Sequence, residues 1–175
     1  MNPVPTTALS LGGSVPLTEL SARYLGEYWE KIQFAVAGLD EEEIWWRPAP
    51  HANSAANLLL HLAGNLTLWI LGGLGGAEVD RDRAGEFAAE HSITKAAALA
   101  RLGAVVAEAQ AVLRALPARE LDQPVAIQGY DVDRLGAMFH AVEHMSYHTG
   151  QIVWIAKAVR REGKPFEFYP RHAGE

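Results

Sequence analysis

The chain has 175 residues, with 15 Lys and Arg against 21 Asp and Glu (net charge −6), seven His and no Cys. That length predicts one domain with a full core, and 49% apolar against 21% charged residues excludes a disordered chain. The acidic balance argues against nucleic acid as a partner, and the absence of Cys excludes disulfide scaffolds, thiolate metal sites and a protein thiol nucleophile.

Residues 1–16 lack the basic and continuous apolar regions of a signal peptide and read as a flexible leader, so a cytoplasmic location is expected. The apolar spacing then predicts a first helix from about Thr18, its N-cap, to Gly38, with Leu20, Tyr24, Tyr28, Ile32 and Ala35 on one face. A short turn at Leu39–Glu43 and the loop around Trp45, Trp46, Arg47 and Pro48 follow, the Trp pair reading as a packing plug. Asn53 or Ser54 is placed to cap a second helix running to about Leu71. No charged residue occurs between Arg47 and Glu78. The run nevertheless carries His51, Asn53, Asn57, His61 and Asn65, which lipid would leave without partners, so a buried helix is expected and no membrane association.

Residues 72–92 read as a long glycine-rich and charged loop, and a third, Ala-rich helix spans about Thr94 to Leu116 before Pro117. Residues 117–132 read as irregular, with short extended pieces at Val125–Ile127. Asp133 caps a fourth helix to about Glu162, which ends with Lys157, Arg160 and Arg161 ahead of Gly163 and Pro165. Four helices, each with an apolar face, predict an all-α four-helix bundle of the up-down type with long connecting loops, over residues 17–165, followed by a tail at 166–175.

Two polar features interrupt the apolar pattern. In the second helix Asn57, His61 and Asn65 are successive i, i+4 steps, within about 80° of one another, and such a stripe needs partners or a water-lined cleft. In the fourth helix His140, His144 and His148 repeat the same step, sharing their stripe with Tyr147, Gln151 and Ile155. Two imidazoles one helical turn apart suit one metal ion, and His61 on the facing stripe is the natural third ligand. Three His without a fourth protein ligand leave positions open, the catalytic pattern. The opposing reading is three His facing a polar groove without metal. His51, His91 and His172 read as loop or tail residues.

The run from Asn53 to Leu66 (N-S-x-x-N-L-L-L-H-L-x-G-N-L) and that from His140 to Ile152 (H-A-V-E-H-M-S-Y-H-T-G-Q-I) together resemble the DinB-like, DNA-damage-inducible superfamily of four-helix bundles. That superfamily includes bacillithiol- and mycothiol-dependent transferases and isomerases. Trp45-Trp46-Arg47-Pro48, Arg81-Asp82-Arg83 and Glu86-Phe87 look like one uncharacterised branch of it. The resemblance implies a divalent metal, commonly zinc or nickel, on His61, His144 and His148, and frequently a homodimer. His140 is then a partner of the ligands, a fourth contact or a pocket residue, and the first is expected because the helix carries it a full turn from the His144/His148 pair. The expected activity is metal-dependent transfer or hydrolysis on a small-molecule substrate. Any thiol would be a low-molecular-weight cosubstrate, since the chain has none. Asn65 and Gln151 are candidates to orient ligands or substrate, Tyr147 to donate a proton, and Arg81 and Arg83 to hold an anionic group if their loop covers the bundle end. The alternative is a non-catalytic metal-binding stress protein or a purely structural dimer. An all-His site should lose its metal as pH falls below about 6.

Overall fold

The computed structural model describes residues 15–159. The leader, the tail, His172 and the end of the last helix expected beyond Val159 therefore lie outside the described residues, apart from Val15 and Pro16.

The first helix, α1, spans Leu17–Val36 and follows Pro16. Thr18 is buried inside its first turn rather than capping it. The buried stripe (Ala22, Leu25, Ile32, Ala35, Val36) is rotated slightly from the expected face, leaving Tyr24 and Tyr28 half-buried and stacked at 5.9 Å. Asp40 accepts from the backbone N–H groups of Glu42 and Glu43 and starts a 3-10 turn at Glu43–Trp45, whose Ile44 and Trp45 plug the core.

Helix α2 (Ala55–Leu66) begins in a capping box: Ser54 Oγ accepts from the Asn57 N–H, and Asn57 Oδ1 accepts from the Ser54 N–H, each at 3.1 Å. Every residue of α2 is buried, which is why it carries no charge, and it continues as a π-helical segment through Thr67–Gly72. Residues 55–72 are apolar and long enough to cross a bilayer, but 78% of that window is buried inside the protein. The following loop contains a helix that periodicity did not indicate, α3 (Arg83–Ala88), capped by Asp82. Helix α4 (Lys95–Ala115) is capped by Thr94. The stretch read as irregular forms a hairpin of β1 (Pro124–Ile127) and β2 (Tyr130–Asp133), its turn made by Gln128 and Gly129, both at positive φ. Asp133 Oδ1 then accepts from the Gly136 N–H at the start of α5 (Arg134–Val159), as expected.

The long helices form a four-helix bundle in which α1 packs on α4 and α5, and α2 packs on the same two. The consecutive pairs α1/α2 and α4/α5 thus lie on diagonals, while α2 and α4 are neighbours, an arrangement that the long connections permit and short hairpin loops would forbid. One consequence decides the site. α2 and α5, distant in sequence, are direct neighbours, so the Asn57–His61–Asn65 stripe faces the His140–His144–His148 ladder.

Candidate metal centre

The two stripes meet as the sequence predicts. His61, His144 and His148 each present a ring nitrogen, and these three atoms lie within 4.8 Å of one another. His61 Nε2 is 2.8 Å from His144 Nε2, and the His148 ring stands nearly perpendicular to that of His61, with centroids 5.0 Å apart. His61 and His148 are buried and His144 is half-buried.

The outer nitrogens show how the rings are held. His61 Nδ1 donates to Glu86 Oε2 at 2.9 Å, and His148 Nδ1 donates to Gln151 Oε1 at 2.6 Å. In both rings the Nδ1–H is thereby fixed and the Nε2 lone pair is left for the centre. Glu86 is itself clamped: Arg81 Nε donates to Oε1 at 2.7 Å and Nη2 to Oε2 at 2.8 Å, a bidentate pair with each side chain 7% exposed. Burial pushes the Glu86 carboxyl up, but the hydrogen bonds from His61 and Arg81 and the Arg81 charge prevail and hold it below the usual range. The His144 pKa is lowered to about 3, first by burial and then by the neighbouring His148, His61 and His140. Burial likewise lowers His148 and His140. Burial thus favours the neutral imidazole at His144 and His148.

Glu86 comes from α3, and Asn57 puts it there. The Asn57 Nδ2 donates to the carbonyls of Glu86 (3.0 Å) and Ala89 (2.9 Å), and Arg47 Nη2 reaches the Ala89 carbonyl at 3.2 Å. These donors satisfy carbonyls that the end of a short helix leaves open. Asn57 is thus a structural clasp, whereas the two other members of its stripe face the site. Gly64 is needed for close approach: a Cβ there would lie 1.9 Å from Glu86 Oε1 and 2.8 Å from Arg81 Nε.

The remaining expected residues divide by position. Asn65 is 4% exposed and its Oδ1 is buried with no hydrogen-bond partner, while its Nδ2 is 3.5 Å from His140 Nε2. His140 packs on Trp69 at 4.1 Å and on His144 at 5.3 Å, next to the triad and outside it. Gln151 touches His148 alone among the three rings. Tyr147 is 59% exposed on the outer side of α5, its ring 5.1 Å from that of His148. Arg81 is committed to Glu86, and Arg83 lies over the Phe87 ring at 5.1 Å. His91 sits in a loop at φ 47°, against Trp45 and within 4.0 Å of Glu42, and His51 is exposed.

A cavity of about 370 Å³ opens beside His61 and His144, walled by Asn65, Trp69, His140 and the hairpin residues Gln128 and Tyr130. A larger one, about 490 Å³, lies on the far side of the Arg81–Glu86 pair and is lined by none of the three triad residues. The nitrogen donor set, the neutral rings and the anchored Nδ1–H groups fit a divalent metal of the zinc or first-row transition type. Where the sequence left a groove of metal-free His as the alternative, the convergence of three Nδ1/Nε2 atoms on one point favours a metal.

The likeness to other proteins agrees with this fold. A conserved protein of Enterococcus faecalis superposes with TM-score 0.73 at 21% identity, over 85% of this chain and 100% of its own. A Bacillus subtilis protein, YfiT, described as a probable metal-dependent hydrolase with an unusual four-helix bundle topology, gives 0.65 at 15% identity, over 85% and 91%. A DinB-like protein of Bacillus cereus ATCC 10987 gives 0.62 at 13%, over 84% and 95%. No curated protein matches the chain. Residues 17–167 match the family described as protein of unknown function, DUF1572, and the chain therefore belongs to that family.

Proposed function

We propose that this chain is a metal-dependent hydrolase or transferase acting on a small molecule, with a divalent metal held by His61, His144 and His148. The observation that carries the reading is the anchored triad beside an open cavity: three convergent imidazoles, two with Nδ1–H fixed, next to about 370 Å³ of space. The description of the Bacillus subtilis neighbour as a probable metal-dependent hydrolase supports the same reading. When bound, the metal would polarise an electrophile and acidify water or a thiol in its coordination sphere. Zinc or nickel is the ion proposed, and a low-molecular-weight thiol is the proposed cosubstrate where transfer rather than hydrolysis occurs.

The protein's own groups have separate tasks. Glu86 and Gln151 hold His61 and His148 in one tautomer and orientation. Asn65 offers substrate a buried acceptor. Tyr147 is the proton donor on the His148 side, where its ring meets solvent. The exposed face of α5 also carries Leu135, Phe139 and Trp154, at 39–68% exposure, and this apolar run supports a homodimer; the cytoplasm is the proposed location. The alternative, a metal-binding protein without catalysis, differs in one outcome. His148→Ala should abolish metal-dependent turnover across a panel of ester, amide and thiol-transfer substrates while helical content persists. A panel on which the metal-loaded wild type shows no turnover overturns the enzyme reading.

A further inference from the structure

The cavity beside the triad has an electrostatic character that the chain as a whole lacks. The protein carries a net charge of −6, yet no Asp or Glu lines this cavity, whereas Arg81 and Arg83 both do. Arg81 is neutralised from behind by Glu86. Arg83 has no carboxylate within ion-pair distance among the described residues, and its guanidinium is held over the Phe87 ring. That same ring packs 4.6 Å from the ring of His61, which places the solvent-exposed Arg83 guanidinium beside the metal ligands. Asn65 also lines the cavity, its Oδ1 buried without a donor, and the wall includes the Trp69–His140 pair, its rings tilted by 40°. A buried acceptor left open and a cation left unpaired on one cavity are what a ligand with the complementary groups would satisfy.

Resting on the proposed metal reading, we infer that this cavity is the substrate site and selects small molecules bearing an oxyanion group, bound by Arg83, with an N–H or O–H donor met by Asn65 Oδ1. The metal end receives the reacting group, and Arg83 sets the substrate's orientation from the mouth. Arg81 also lines the cavity, but its charge is paired with Glu86, so Arg83 carries the recognition.

The test uses the full zinc-loaded chain and two metal-binding probes, acetohydroxamic acid and succinic acid monohydroxamate, which differ by one carboxylate arm. Calorimetry should show the carboxylated probe binding about five- to tenfold more tightly at low salt, with the preference shrinking as ionic strength rises. Arg83→Ala should reduce the ratio to about one, leaving zinc stoichiometry and acetohydroxamate affinity unchanged. Arg83→Lys should restore part of it. Asn65→Leu should weaken both probes together, since each carries the hydroxamate N–H. Equal affinities in the wild type, or a preference that survives Arg83→Ala, overturn the Arg83 assignment while the metal reading stands. Binding of zinc but of neither hydroxamate overturns the open-site reading, and this proposal with it.

Discussion

Replacing Glu86 by Gln is the perturbation that reaches furthest into the site while changing its shape least. The carboxylate accepts three hydrogen bonds: Arg81 Nε on Oε1, and Arg81 Nη2 and His61 Nδ1 on Oε2. A Gln amide offers only one oxygen, so in either orientation an NH₂ faces a donor from Arg81 or from both partners. Removing the charge also strands the Arg81 guanidinium, 7% exposed, without a counter-ion. Losing one partner of a buried pair costs about 3–5 kcal/mol, and the retained Gln oxygen recovers part of that, leaving a loss of about 1–3 kcal/mol in the metal-free protein. For a chain of this size that is a melting-temperature drop of about 3–10 °C. With the His61 tautomer no longer fixed, metal affinity should fall about 10- to 100-fold. Competition against a chromophoric chelator measures the affinity, and thermal unfolding of metal-free and loaded protein measures stability. A Glu86→Gln protein that binds metal within about twofold of wild type would refute the orienting role, whatever its stability.

Further outcomes follow from the same geometry. Gly64→Ala places a methyl 1.9 Å from Glu86 Oε1. Overpacking costs about 1–3 kcal/mol and helix propensity returns about 1 kcal/mol, so the denaturant midpoint should stay level or fall while metal affinity drops as in Glu86→Gln. An affinity equal to wild type would show that the clamp can move without consequence. Stability of the metal-free protein should decline as pH drops from about 6.5. In the unfolded chain His144 protonates near 6.5 but in the folded protein only near 3, because burial and then its His neighbours oppose the charge, so the unfolded state binds more protons in that window. The lowered Glu86 carboxyl acts in the same direction, its contribution present above its ordinary value and lost as pH falls through the folded one. Proton competition for the ligands is correspondingly delayed, so metal should be retained at pH 5.5, lower than the value near 6 expected of ordinary imidazoles. Release with a midpoint at or above 6.5, followed by metal analysis after buffer exchange, would contradict burial holding His144 and His148 in the neutral form.

The parts of the site readable in the sequence are those carried by helical period. His61, His144 and His148 stand out because i, i+4 spacing survives any arrangement of the helices, and a helix free of charge could only be central. The Asp133 and Ser54 caps were legible for the same local reason. What stayed hidden depends on tertiary partners. The short α3 has too few residues to show a period and is held by Asn57 and Arg47 rather than by its own propensity. Glu86, on that helix, is 25 residues from the ring it orients. Its one local signal is the Glu86-Phe87 pair, part of the family resemblance, to which the sequence attaches no role. The hairpin was half-seen because Gln128-Gly129 is a weaker turn signal than Asn-Gly. The diagonal placement of α1 against α2 and of α4 against α5 leaves no trace in amphipathic pattern, since each helix buries a stripe whichever neighbour receives it.

The central claim is a metal centre with an open position, and X-ray absorption at the bound metal's K-edge tests it most directly. Protein purified without a His tag and loaded with one equivalent of zinc or nickel should show three imidazole nitrogens at about 2.0–2.1 Å and at least one further light ligand not supplied by the chain. Addition of acetohydroxamate should change that outer component and leave the imidazole signal intact. Binding below about 0.1 metal per chain, or a fourth protein ligand that closes the site, would contradict it.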